Sequence, residues 1–213
     1  MAFLKLPKLP PANREAVTRA VRRAVEQQAA DVAAPSVGPR KLSGRLPSAN
    51  KLAGGAEMLA KRSSEDAEAA RYFSAMLEIC YLVAAADGLA EEERTALYDL
   101  IDYTTRSALK HARLDTLFDQ MAQRLADQGL EARLDAVAAE LDDFMAREEA
   151  LSFAALVAIA DSVLAPKEAV TLIALGKRFD FSVGEVQAVV DVVASTLRRA
   201  MVLESMPPPA PGG

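Results

Sequence analysis

Apolar residues recur at spacings of three and four along most of the chain from Ser63 onwards, the mark of helices with one buried face. Phe73, Met76, Leu77, Cys80, Tyr81 and Ala84 form one such stripe, and Leu97, Leu100, Ile101 and Thr104 a second. Leu114, Leu117, Phe118, Met121 and Leu125 form the next, followed by Leu134, Val137, Leu141, Phe144 and Met145. Phe153, Leu156, Val157 and Ala160 continue the series, as do Val170, Ile173 and Leu175. Residues 79–86 read Ile-Cys-Tyr-Leu-Val-Ala-Ala-Ala, apolar on every side, which predicts a helix in the middle of a bundle.

The punctuation fits this pattern. Ser63 or Ser64 is a candidate N-cap, and Gly88 a C-terminal stop. Gln128-Gly129 separates two helices, and Pro166 suits a first turn. Ser182 with Glu185 makes a capping box. The predicted helices cover 63–86, 90–110, 113–127, 131–147, 148–164, 166–178 and 183–203. No stretch reads as a strand. The fold class is therefore all-α: a compact bundle of about seven helices.

Two stretches repeat each other. Tyr81–Leu100 and Ala155–Leu175 both run an apolar helix into an aspartate and restart with a glutamate in the next first turn. Asp87 corresponds to Asp161, Glu93 to Glu168, Leu97 to Leu172 and Leu100 to Leu175. The bundle thus carries an internal duplication, with Ser162 standing where the first joint has Gly88.

Residues 1–62 follow other rules. Phe3, Leu4, Leu6 and Leu9 alternate with lysines, and prolines at 7, 10 and 11 forbid a regular helix there. Exposed, residues 1–11 would dock in extended form in a partner's groove. A thin stripe of Val17, Val21, Val25 and Val32 predicts a basic helix within 12–34, with Arg19, Arg22 and Arg23 among its charges. Residues 35–62, rich in Pro, Gly and Ser, read as a flexible linker, with Gly54-Gly55 prolonging it and a short helical turn towards Arg62. The domains expected are a basic docking segment and helix over 1–34, the linker over 35–62, the helical domain over 63–204 and a disordered Pro/Gly tail over 205–213.

Charge sharpens the division. The 213-residue chain has a net charge of -5, yet residues 1–62 carry +8 and residues 63–213 carry -13. A basic arm on an acidic domain either seeks an acidic partner or an anionic membrane, or folds back on its own domain. Nucleic-acid binding is not favoured, because the arm has one aromatic residue and no known motif. One cysteine excludes an internal disulfide and a cysteine-based metal cluster. With no signal peptide, the expected compartment is the cytoplasm, with peripheral contact at the inner membrane face open to the arm. No apolar run reaches the length of a membrane span.

The chemistry-bearing residues are few. Asp87 and Glu93 meet at one joint, and Asp161 and Glu168 at the other. Four carboxylates from two related joints could gather around Ca²⁺ or Mg²⁺, which want oxygen ligands. The same residues serve equally as caps and dipole partners of the helix that follows. His111 lacks a histidine or cysteine partner, and Cys80 falls within an apolar helix. Neither a catalytic triad nor a phosphate-binding glycine loop is present, so no enzymatic activity is expected. A metal-dependent enzyme using the joint carboxylates is the weakest alternative.

The joints carry a family resemblance. Ala85-Ala86-Asp87-Gly88 with Glu93, and Ala160-Asp161 with Glu168, resemble the TerB-like family: the tellurite-resistance protein TerB and relatives, including the helical domain that opens a membrane-anchored DnaJ-like co-chaperone. The resemblance covers roughly residues 64–203. It implies a duplicated all-α bundle, metal binding through Asp87, Glu93, Asp161 and Glu168, and a place in a stress-response assembly at the membrane. The expected function is a non-enzymatic binding or scaffold protein, tethered to a larger assembly by the basic arm through Phe3, Leu4, Leu6, Leu9, Arg19, Arg22 and Arg23. The rival reading is a purely structural or cargo-type component, docked by residues 1–11 without metal.

Overall fold

The two most apolar stretches pack against each other at the centre of the fold. The computed structural model describes residues 4–5, 14–28, 42–61, 67–89, 91–159 and 164–205. Among these there are nine α-helices and no strand: α1 (Arg14–Gln28), α2 (Ala49–Lys61), α3 (Ala67–Ala84), α4 (Glu91–Thr104), α5 (His111–Gln128), α6 (Leu130–Ala139), α7 (Phe144–Ile159), α8 (Pro166–Arg178) and α9 (Val183–Ser205). Seven of them, α3–α9, occupy the part of the chain where about seven were expected.

Helices α3 and α7 form the centre. Every residue of α3 from Tyr72 to Ala84 is buried except Ser74, and α7 is buried almost throughout from Ala146 to Ile159. Helices α2, α5, α6 and α8 lie against α3, while α9 covers α7. Phe73, Phe118, Phe153 and Phe179 are fully enclosed. Each such side chain contributes about 1.5–3 kcal/mol by leaving water. The segment Ala67–Asp87 is long and apolar enough to cross a bilayer, contrary to the sequence expectation, but 67% of its apolar window is buried inside the bundle. Its apolarity is used against other helices.

Three expectations need correction. First, the break between the fourth and fifth predicted helices falls at 140–143 and not at 147/148. Asp143 accepts hydrogen bonds from the amides of Met145 and Ala146 at 2.8 and 3.1 Å, so it caps α7. Phe144 and Met145, placed on a buried stripe by spacing alone, are 40% and 43% exposed.

Second, Gly54-Gly55 does not break a helix. Both sit inside α2; a Cβ on Gly55 would lie 2.6 Å from the Ala69 carbonyl oxygen and the Phe73 Cβ, whereas Gly54 faces open space. Gly55 lets α2 press onto α3.

Third, residues 42–61 are built into the body, although the composition of 35–62 reads as a linker. Leu42, Leu46, Leu52 and Ala56 belong to the core. Gly44, at φ +62°, sits so close to α9 that a Cβ would meet Val192 at 2.6 Å.

The basic helix α1 also lies on the body. Val17, Ala20, Val21, Ala24 and Val25 are buried, and the helix packs on α9 and α4. Leu4 is in the core at 6% exposure. Beside it, the Lys5 amide donates to Gln187 Oε1 at 2.6 Å and Gln187 Nε2 donates to the Lys5 carbonyl at 3.1 Å.

Candidate functional site

Chain reversal at the first joint begins with a single 3-10 turn, Ala85–Asp87, at the end of α3. The Gly88 amide closes it onto the Ala85 carbonyl at 3.2 Å, with Gly88 at φ +104°. Asp87 points to solvent and has no partner among the described residues. This turn packs against α8, the helix that follows the second joint.

The second joint uses its glutamate differently. Glu168 is 7% exposed, and its Oε2 accepts the Ala165 amide at 2.8 Å. This is half a capping box, since the alanine at the cap position has no side-chain oxygen to return the bond. The Glu93 side chain and all of Asp161 lie outside the described residues. Of the four expected ligands, the structure thus places one exposed carboxylate and one capping carboxylate. Among the described residues, no group of three or more His, Cys, Asp or Glu is arranged to hold a metal.

The acidic side chains most deeply engaged were not among the sequence candidates. Glu148 and Glu149 are 2% and 4% exposed on α7. Glu148 Oε1 accepts the Ser43 amide at 2.5 Å, the Ser43 hydroxyl at 2.9 Å and the Gly44 amide at 3.0 Å. Glu149 accepts the Tyr72 hydroxyl at 2.7 Å, lies 2.7 Å from Lys51 Nζ and takes Arg45 Nε at 3.3 Å. The Lys51 ammonium also sits over the Tyr72 ring, 3.8 Å from its centroid. Burial, followed by the negative charge and hydrogen bond of Glu149, pushes the Tyr72 phenol far above its usual range. Two adjacent carboxylates of α7 thereby clasp the N-terminal segment onto the body. The signal in the sequence is a charged pair placed directly before the apolar run Ala150–Ile159.

Of the residues proposed for partner docking, Phe3, Leu6 and Leu9 lie outside the described residues. Leu4 is in the core and not on an open surface. Arg19 and Arg22 are on the exposed side of α1, and the Arg22 guanidinium stands 4.5 Å over the Tyr103 ring of α4. Arg23 is half-buried.

The remaining candidates have structural settings. Cys80 is fully buried, and burial pushes its thiol far up, so it stays protonated. His111 opens α5 and stacks on Tyr98 at 5.9 Å. The Tyr98 hydroxyl donates to Asp115, which holds that carboxyl below its ordinary range, helped by Arg94 at 3.2 Å. Compared with known proteins, the chain matches no family model, no curated protein and no solved structure. What the fold and site define is a class: an all-α helical bundle with a clasped N-terminal segment.

Proposed function

We propose that this protein is a non-enzymatic binding or scaffold module of the TerB-like kind, acting in the cytoplasm or at the inner face of a membrane. The observation that carries the reading is the employment of its buried acids. Glu78, Glu148 and Glu149 hold basic partners or backbone amides, and Glu168 and Glu185 cap helices. Groups committed in this way are poor general acids or bases, because they are spent on structure and not aimed at a vacant substrate position. The surface proposed for a partner protein is the joint region, where Asp87 and Gly88 are exposed. The basic segment supports this reading as part of the module, since its described residues are fastened to α7, α9 and α4.

The divalent cation implied by the family resemblance is a further element of the proposal. Asp87 is available for it, whereas Glu168 is already spoken for by the Ala165 amide. Docking through residues 1–11, the rival reading, requires Leu4 to leave the core. The experiment is a capture of partners by the full chain, with calcium and with chelator, comparing the natural sequence with Asp87→Ala/Asp161→Ala. Loss of a stoichiometric partner in the double variant supports the joint region, and loss in chelator as well supports the cation. Unchanged capture removes the joints from the account. A hydrolase activity abolished by Asp161→Ala would overturn the non-enzymatic reading.

A further inference from the structure

A groove of about 330 Å³ lies where α3, α5 and α6 meet. Arg71, Ser74 and Glu78 line it from α3, Arg124 from α5, Arg133 from α6 and Glu140 from just beyond the end of α6. Three guanidinium groups therefore face two carboxylates, in a domain whose overall charge is strongly negative. The local excess of positive charge opposes the general field of the body.

The three arginines are not equally occupied. Arg133 takes up Glu78, with Nε at 2.8 Å and Nη2 at 2.7 Å from Oε1, and its side chain is only 12% exposed. It also donates to Gln128 at 3.0 Å. Arg124 makes one contact, at 3.2 Å to Glu78 Oε2, and its buried Nε has no hydrogen-bond partner. Arg71 is exposed with no ion pair, and the Ser74 hydroxyl is unpartnered among the described residues. The buried Arg124 Nε is closed to a ligand in the groove, and it is the rest of that side chain, 39% exposed, that can meet one. Guanidinium forks match the geometry of carboxylate and phosphate oxygens. Glu78 anchors the arrangement from within: placed in the middle of an apolar helix, it holds Arg133 rigid and draws Arg124 to the groove wall.

We propose that this groove is an oxyanion-binding site, in which Arg71, Arg124 and the Ser74 hydroxyl receive a phosphate or carboxylate group of a small ligand. The volume is at the lower end for small-molecule sites, which suits an anionic head group and little more. Glu140 at the rim disfavours ligands with a second negative charge on that side.

The test uses the full chain and reads thermal unfolding at constant ionic strength, titrating inorganic phosphate in one arm and acetate in the other against chloride. A saturable rise in Tm of several degrees with either anion supports the site, and the arm that responds identifies the source of the oxyanion. Arg71→Gln and Arg124→Gln should each abolish the rise, while Lys177→Gln on α8 keeps it. Arg71 is exposed and has no partner among the described residues, so its variant reports on binding even if Arg124→Gln weakens the fold. No saturable rise with either anion overturns the proposal. So does a rise that persists undiminished in Arg71→Gln and Arg124→Gln.

Discussion

Glu149 has three partners from three parts of the chain, and they are the means by which one residue fastens a segment to a body. Glu149→Ala leaves the buried Tyr72 hydroxyl without an acceptor and frees Lys51 and Arg45. Both cations are about half exposed, so water recovers much of the lost attraction. The expected cost is about 1–3 kcal/mol, the range for an orphaned buried polar group, read from urea unfolding. Tyr72→Phe should cost less, since Lys51 still meets the carboxylate. Cys80 makes a second prediction at this scale. Its thiol is raised in the folded state, so its stability contribution is complete below the unfolded thiol pKa of about 8.5 and is lost as pH rises above it. Stability should fall by roughly 1.5–2 kcal/mol between pH 8.5 and 10 through this group alone. The corresponding slope should be absent in Cys80→Ala. An equal slope in both proteins would assign the effect to other groups.

At the scale of elements, helix starts decide where the chain turns. Asp143 holds two free amides of α7, and Asp143→Ala should lower stability by about 1 kcal/mol without changing the fold. Glu168→Ala should cost a similar amount, while Asp87→Ala, exposed and without a partner among the described residues, should stay within about 0.5 kcal/mol. If calcium stabilises the natural protein and both variants lose that gain, the joints hold a cation after all.

Most of the elements were legible because periodicity reports burial directly. The all-round apolar character of 79–86 predicted the central helix, and Ser182 with Glu185 predicted the α9 cap that is present, with the Ser182 amide donating to Glu185 Oε2 at 2.8 Å and the Glu185 amide to the Ser182 hydroxyl at 3.3 Å. What spacing could not convey was tertiary. Gly55 reads as a breaker until Phe73 and Ala69 are pressed against it. Phe144 and Met145 continue a stripe on paper, but Asp143 starts a new helix before them. Near the expected joints, the end of α3 and the start of α8 at Pro166 could be read from the sequence. The clasp could not, since its partners Ser43 and Glu148 lie 105 residues apart.

For the molecule as a whole, the charge split acquires a physical meaning. Residues 1–62 carry +8 and the rest -13, and in the described residues part of that difference is settled internally, by Arg45 and Lys51 on Glu149. Apolar burial adds to this, with Leu4, Val21, Val25, Leu42, Leu46 and Leu52 in the same core as the central helices. Leu4→Ala should therefore destabilise the whole fold, by about 2–5 kcal/mol if the site cannot collapse. A docking residue would lose a partner instead. The clasp is partly ionic, but its deepest bonds go to buried carboxylates, so salt should loosen it only slightly.

Hydrogen exchange of the full chain at neutral pH tests the central claim most directly. If the N-terminal segment is part of the body, amides of 17–25 and 49–60 exchange slowly, in the same cooperative unit as α3 and α7. Glu148→Gln/Glu149→Gln should then speed exchange in 42–61 more than in α9. If 14–61 exchange at the rate of an unstructured peptide while α3 and α7 stay protected, the segment is a free arm and the account of this protein as a single clasped module is wrong.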